Sequence, residues 1–172
     1  MIELLRTRRS IRKYIEQPVE TEKLKILKEA VLRSPSSKGI NPWKFIFIDD
    51  LETIQKLEEC KPTGTGPLDT APLVVVFCAD ETVNDAWVED CSIAAIILQL
   101  TAHSLGLGSC WIHVHYRMHS ETVSSEKYIQ DLLGIPAHFK VLCAVSVGYP
   151  AKPAKGRPLE ELQFEKIRIN KF

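Results

Sequence analysis

At 172 residues the chain is of a size that builds one hydrophobic core, and nothing in its length calls for a second domain. Its 22 Lys and Arg balance 22 Asp and Glu, which argues against a general nucleic-acid binder and against recruitment to an anionic membrane by bulk charge. Five cysteines, odd in number and without a CxxC pair, and an N-terminus without a continuous apolar stretch predict reduced thiols in a cytoplasmic protein.

Ile2, Leu4 and Leu5 predict a short helix running into Arg9, broken well before Pro18. From Thr21, read as a possible N-cap, Leu24, Leu27, Ala30 and Val31 recur at helical spacing, and the helix should stop ahead of Ser34-Pro35. After a loop from Ser36 to Pro42, the aromatic and β-branched run Trp43 to Ile48 predicts a strand. Leu51 to Glu59 reads as helix, and the Pro- and Gly-rich stretch Lys61 to Pro72 as a long loop of the kind that carries function.

Leu73 to Ala79 is continuously apolar and predicts a buried strand. From about Asp85 to Leu105 runs the longest helix, apolar almost all round and therefore expected to be covered on every side, partly by a dimer interface. Gln99 and Thr101, with Asp85, Glu89 and Asp90 before them, keep it short of a membrane span. Ser109 to His115 predicts a strand, Ser124 to Leu133 a helix closed by Gly134 and Pro136, and Val141 to Val147 a buried strand. The tail beyond Gly148 holds too few apolar residues for a core of its own. Helices and strands in this order, without a βαβ repeat, predict an α+β fold.

Two basic clusters stand out from the neutral average: Arg6, Arg8, Arg9, Arg12 and Lys13 near one end, and Lys152, Lys155 and Arg157 near the other. There is no Walker loop, G-x-S-x-G or H-E-x-x-H. Gly106-Leu107-Gly108 follows a helix and precedes a strand, the reverse of a dinucleotide fingerprint, and reads as a helix stop. Cys110, His113, His115 and His119 are the one metal-like grouping. With His113 and His115 on one face of a strand they have the geometry of ligands to one metal, but no carboxylate or second cysteine stands at a partner spacing, so no metal is expected.

Four motifs then occur in order along nearly the whole chain: Arg8-Arg9-Ser10-Ile11-Arg12-Lys13-Tyr14; Ser34-Pro35-Ser36-Ser37 followed by Asn41-Pro42-Trp43-Lys44-Phe45; Gly106-Leu107-Gly108-Ser109-Cys110-Trp111-Ile112; and Val147-Gly148-Tyr149-Pro150 with Lys155-Gly156-Arg157. The ordered set resembles the FMN-dependent nitroreductase family. That resemblance implies a mostly antiparallel central sheet flanked by helices, an intertwined homodimer formed from a single domain, and a tail from about residue 150 that extends over the partner subunit. It implies FMN as cofactor and NADH or NADPH as electron donor, with a small acceptor such as a nitroaromatic, a quinone or an enone. A flavin-binding redox sensor or FMN carrier without turnover is the alternative.

The resemblance also implies roles for individual residues. Arg8, Ser10 and Arg12 would meet the FMN phosphate and ring edge, Arg9 would contact the flavin chiefly through its backbone, and Lys155 and Arg157 would close on the same phosphate. Pro35, Ser36 and Ser37, with Gly39 in the same loop, would reach the flavin from the other subunit. Backbone amides of Cys110, Trp111, Ile112 and His113 would approach flavin N5 and O4, stabilising charge on the reduced ring. His113 and His115 are candidate proton donors, beside the alternative that both simply pack or face solvent.

The chain departs from the family pattern at three places. Lys38-Gly39 stands where many members have Asn, and His113-Val114 replaces a Glu-Gly. The loop from Lys61 lacks the flavin-binding Asn and Lys of larger members, with Thr63 and Thr65 as possible substitutes.

Overall fold

The computed structural model describes residues 1–172. Four strands, β1 (Trp43–Ile48), β2 (Leu73–Asp80), β3 (Gly108–His113) and β4 (Phe139–Gly148), form one wholly antiparallel sheet in the order β1-β2-β4-β3. Five helices surround it: α1 (Ile2–Thr7), α2 (Thr21–Leu32), α3 (Leu51–Glu58), α4 (Trp87–Ser104) and α5 (Ser125–Leu133). The α+β expectation holds.

The unbroken apolar run of β2 follows from its central place, because both of its faces are covered. Leu73, Val75, Phe77 and Ala79 pack with α2 and α4 in one core, and Val74, Val76 and Cys78 face a second core that includes Ile54 and Leu57 of α3 and Ile129 of α5. Between Phe77 and Cys78 the pairing with β4 shifts by one residue, leaving Leu142 as a bulge. The Leu142 carbonyl accepts the N–H groups of both Val114 and His115, at 3.1 and 3.0 Å. This double capture ends β3 at His113, so the strand expected to reach His115 stops two residues earlier.

Other boundaries differ modestly. Glu20 rather than Thr21 holds the N-cap position of α2, and Thr21 is already helical. The helix expected from Asp85 starts at Trp87. Within the Lys61 to Pro72 loop a single 3₁₀ turn, Gly66–Leu68, buries Pro67 and Leu68.

Small residues let α4 lie close against the sheet, where Cys91, Ala94, Ala95, Leu98 and Ala102 are fully buried. Its cover is incomplete within one chain, since Ile93 and Ile96 remain 38% and 40% exposed. No helix is long and apolar enough to cross a membrane.

Candidate active site

The chain leaves α1 at Arg8 in extended conformation (φ −62°, ψ 134°) and docks along the edge strand β3. Ser10 pairs in parallel with Ser109, where Ile11 N–H donates to the Ser109 carbonyl at 2.9 Å; farther on, Ile15 N–H donates to Tyr149 O at 3.0 Å. Gly108 permits this crossing, because a Cβ there would lie 2.5 Å from Ile11 Cγ1. The late Lys-Gly-Arg approaches from the other side. A Cβ on Gly156 would sit 1.8 Å from the Arg6 carbonyl oxygen, so only glycine lets the tail rest against the end of α1.

These two approaches place Leu5, Arg8, Arg9, Ser10, Arg12 and Arg157 around one cavity of about 410 Å³. Arg8, Arg9 and Arg12 have no carboxylate partner, and Arg157 has only exposed Glu161 at 3.7 Å. Four guanidinium groups and a hydroxyl converging with only that one exposed counter-charge form a donor set suited to a phosphate dianion. A larger hollow of about 480 Å³ is lined in part by Glu16 and Asp49 and by no basic side chain, which makes it a poor place for the same ligand. Lys155 is exposed and does not line the arginine cavity.

Beyond Ser109 no segment pairs with the outer side of β3, so the N–H groups that alternate outward with Ser109, those of Trp111 and His113, are open to a ligand. Cys110 is buried in this strand: burial pushes its thiol pKa up, while the charges of Arg12, Arg8 and Lys61 pull it the other way. Beneath the strand, the buried Tyr14 hydroxyl lies 2.7 Å from Ile11 O and 2.8 Å from Ser146 Oγ, which in turn donates to Cys110 O at 3.4 Å. Burial holds the Tyr14 phenol well above its ordinary pKa, so it stays protonated and able to donate. At the far end of β3, Lys61 Nζ donates to His113 O at 2.8 Å.

The four metal-like residues part company. His113 lies parallel to Trp111 at 6.2 Å, His115 packs edge-on against Trp87 at 4.9 Å, and His119 stacks on Tyr128 at 4.3 Å while its Nδ1 meets Glu59 O at 2.7 Å. His115 also lies beyond the end of β3, so strand alternation does not put it on a face with His113. No group of three His, Cys, Asp or Glu side chains has metal-binding geometry.

Ser36, Ser37 and Gly39 occupy a tight loop outside the arginine cavity of their own chain. Ser36 Oγ accepts Asn41 N–H at 2.9 Å and donates to Asn41 Oδ1 at 2.7 Å. Ser37 N–H donates to Asp90 Oδ1 at 2.7 Å, and Asn84 Nδ2 to Asp90 Oδ2 at 2.7 Å. Asp90 is only 2% exposed, so this buried carboxylate fixes the loop to α4.

The profile described as Nitroreductase family matches residues 5–61 and 63–149. The chain belongs to the nitroreductase family. A solved FMN-dependent nitroreductase from Clostridium difficile R20291 superposes with a TM-score of 0.97 at 45% identity, with 100% of each chain covered. A protein of Methanothermobacter thermautotrophicus, provisionally named an NADH dehydrogenase/NAD(P)H nitroreductase, is 36% identical over 162 residues, covering 92% of this chain and 82% of its own. The FMN reductase [NAD(P)H] of Bacillus subtilis is 29% identical over 180 residues, 92% of this chain and 69% of that protein.

In this nitroreductase the Lys38-Gly39 departure has a backbone meaning. Lys38 adopts φ 53°, a left-handed conformation that Asn tolerates better than Lys. Lys61, Asp90 and the Tyr14–Ser146 pair are site-shaping residues that sequence reasoning passed over. Of these, Lys61, in the loop singled out for function, and Tyr14, which closes the first motif, carried a visible signal.

Proposed function

We propose that this nitroreductase-type oxidoreductase binds FMN with its phosphate among Arg8, Arg9, Ser10, Arg12 and Arg157, takes reducing equivalents from NADH or NADPH, and passes them to a small nitroaromatic, quinone or enone. The observation that carries the reading is the convergence of four arginines from both ends of the chain on one cavity beside β3. FMN, when bound, supplies the redox chemistry of its ring.

The remaining tasks fall to the chain. The cradle binds and orients the phosphate, and within Cys110 to His113 the outward amides of Trp111 and His113 offer donors for negative charge developing beside β3. Ser146 and Tyr14 hold that strand in place from below. Burial, followed by the charges of Arg117, Lys61 and His115, lowers the pKa of His113, so near neutral pH its ring is uncharged and a weak proton donor. We favour positioning over acid catalysis for His113, and packing for His115.

The exposed Ile93 and Ile96 of α4 support a homodimer, and Phe164, Ile167, Ile169 and Phe172, all exposed, support a tail that covers the partner subunit of this single-domain protein. The loop at Ser36 and Ser37, absent from its own chain's arginine cavity, would then serve the partner's. Five buried thiols fit a reducing compartment such as the cytoplasm.

The test is an absorption spectrum of the purified protein, reconstituted with FMN, before and after anaerobic NADH or NADPH. Bleaching of the flavin, reversed by a nitroaromatic or quinone, is the expected result. Persistent colour at excess nicotinamide would point to a flavin carrier or sensor, and failure to take up FMN would refute the assignment.

A further inference from the structure

We propose that His103 is a positioning residue for the arginine cradle: from the last turn of α4 its Nε2–H holds Thr7 Oγ1 and so fixes the end of α1, from which Arg8 and Arg9 emerge to meet a phosphate. The role rests on the flavin reading above, and it names the group that seats one wall of that site.

The helix α1 is poorly secured by its own sequence. Six residues are too few for a stable helix in water, Met1 gives it no side-chain cap, and none of its residues is buried. Only Leu4 is even half-buried, and Arg6 is paired with Glu3 inside the helix. The contact of Thr7 Oγ1 with His103 Nε2, at 2.8 Å, is the one hydrogen bond that joins α1 to another element. On the other side of that bond α4 is firmly held: Leu98 and Ala102 are fully buried, and Gly106 N–H closes the helix on His103 O at 3.1 Å. The fixed helix therefore sets the position of the loose one.

The count of protons decides which way the bond runs. Thr7 Oγ1 lies 2.7 Å from Glu3 O and 2.8 Å from His103 Nε2, and contacts of that length each need a proton between the two atoms. The hydroxyl has one and the carbonyl none, so Thr7 donates to Glu3 O and the imidazole donates to Thr7. His103 accordingly carries a proton on Nε2.

This link falls where the cradle needs it. Arg8 and Arg9 are bracketed by two anchors, Thr7 against α4 and the Ser10–Ile11 crossing, where Ile11 N–H donates to Ser109 O at 2.9 Å. Thr7, Arg9, His103, Gly108 and Ala154 border a small hollow of about 150 Å³. Arg9 borders both this hollow and the arginine cavity, so the imidazole stands one side chain away from the phosphate site. The tail leans on the same spot, since a Cβ on Gly156 would come within 3.1 Å of Thr7 Cα. Release of Thr7 thus loosens Arg8 and Arg9 directly and Arg157 through the tail.

The experiment titrates FMN, and riboflavin, which lacks the phosphate, into apoprotein of the parent, His103→Leu, His103→Gln, Thr7→Val and the His103→Leu/Thr7→Val double variant, reading the quenching of flavin fluorescence. The ratio of the two affinities isolates the phosphate contact from contacts to the ring. It should fall about three- to tenfold in His103→Leu and in Thr7→Val, the scale of one hydrogen bond lost, and no further in the double variant. His103→Gln, whose amide offers a donor in nearly the same place, should restore it. Hydrogen exchange at Arg8 N–H in the apoprotein is a readout that needs no cofactor: it should quicken in His103→Leu and return to the parent rate in His103→Gln. A ratio and an exchange rate both unchanged in His103→Leu, or equal losses of FMN and riboflavin affinity, would overturn the role of His103 and leave the flavin reading standing. A parent protein that takes up no FMN would overturn both.

Discussion

Replacing Gly156 by alanine tests whether the tail is what completes the arginine cradle. The added Cβ would lie 1.8 Å from the Arg6 carbonyl oxygen and 2.8 Å from its carbon, where ordinary contact begins near 3.4 Å. The end of α1 cannot easily yield, because Arg8 N–H is bonded to Leu4 O at 2.9 Å and Thr7 Oγ1 to Glu3 O at 2.7 Å. The tail must move instead, by about 1.5 Å, which carries an Arg157 hydrogen bond of ordinary length beyond bonding range. Loss of one charge-assisted bond from an exposed arginine is worth about 1.5 kcal/mol, or roughly a tenfold weaker FMN affinity. Quenching of FMN fluorescence on titration with apoprotein reads this directly. A double-mutant cycle sharpens the test: once Arg157→Ala has removed the contact, adding Gly156→Ala should cost almost nothing more. An unchanged affinity, or full additivity of the two substitutions, would refute the idea that Gly156 acts by seating Arg157.

Arg8→Ala should weaken FMN retention by about 1.5 to 3 kcal/mol in equilibrium dialysis, and undiminished retention would remove Arg8 from the phosphate site. Asp90→Asn sets two amide NH₂ groups against each other and should cost about 2 kcal/mol by urea unfolding; adding Asn84→Asp restores the donor–acceptor pairing, so failure of that rescue would count against the role given to Asp90. Lys38→Asn should raise the urea midpoint by the equivalent of about 0.5 to 1 kcal/mol, since it relieves a left-handed φ of 53°, and a lower midpoint would contradict this account. Because burial depresses the His113 pKa, the unfolded chain takes up its proton first on acidification. Stability should therefore rise with pH from the depressed folded value to just above the ordinary 6.5, and His113→Asn should flatten that slope.

The elements that sequence patterning located were those whose signal is local. Trp43–Ile48 was legible to the residue because aromatic and β-branched side chains alternate into covered faces. The Leu73 run was legible because a strand covered on both sides needs no polar positions. Gly106 read correctly as a helix stop, and Gly134 closed α5 as expected.

What escaped was set by partners distant in sequence. The end of β3 depends on a bulge at Leu142, about thirty positions later, and nothing near His115 announces it. The basic ends of the chain were visible as charge, but their meeting depends on missing side-chain volume at Gly108 and Gly156, which has meaning only when the opposing backbone is known. Asp90 resembled any acid near the start of a helix until Ser37 and Asn84 came to rest on it.

One helix thus bears both the carboxylate that restrains the Ser36–Ser37 loop and the bare isoleucines proposed to meet a second protomer, about a turn apart. If that loop completes the neighbouring cofactor site, pigment uptake and self-association become linked equilibria. The apparent grip on flavin then rises with protein concentration, and dilution bleaches the preparation by parting its halves.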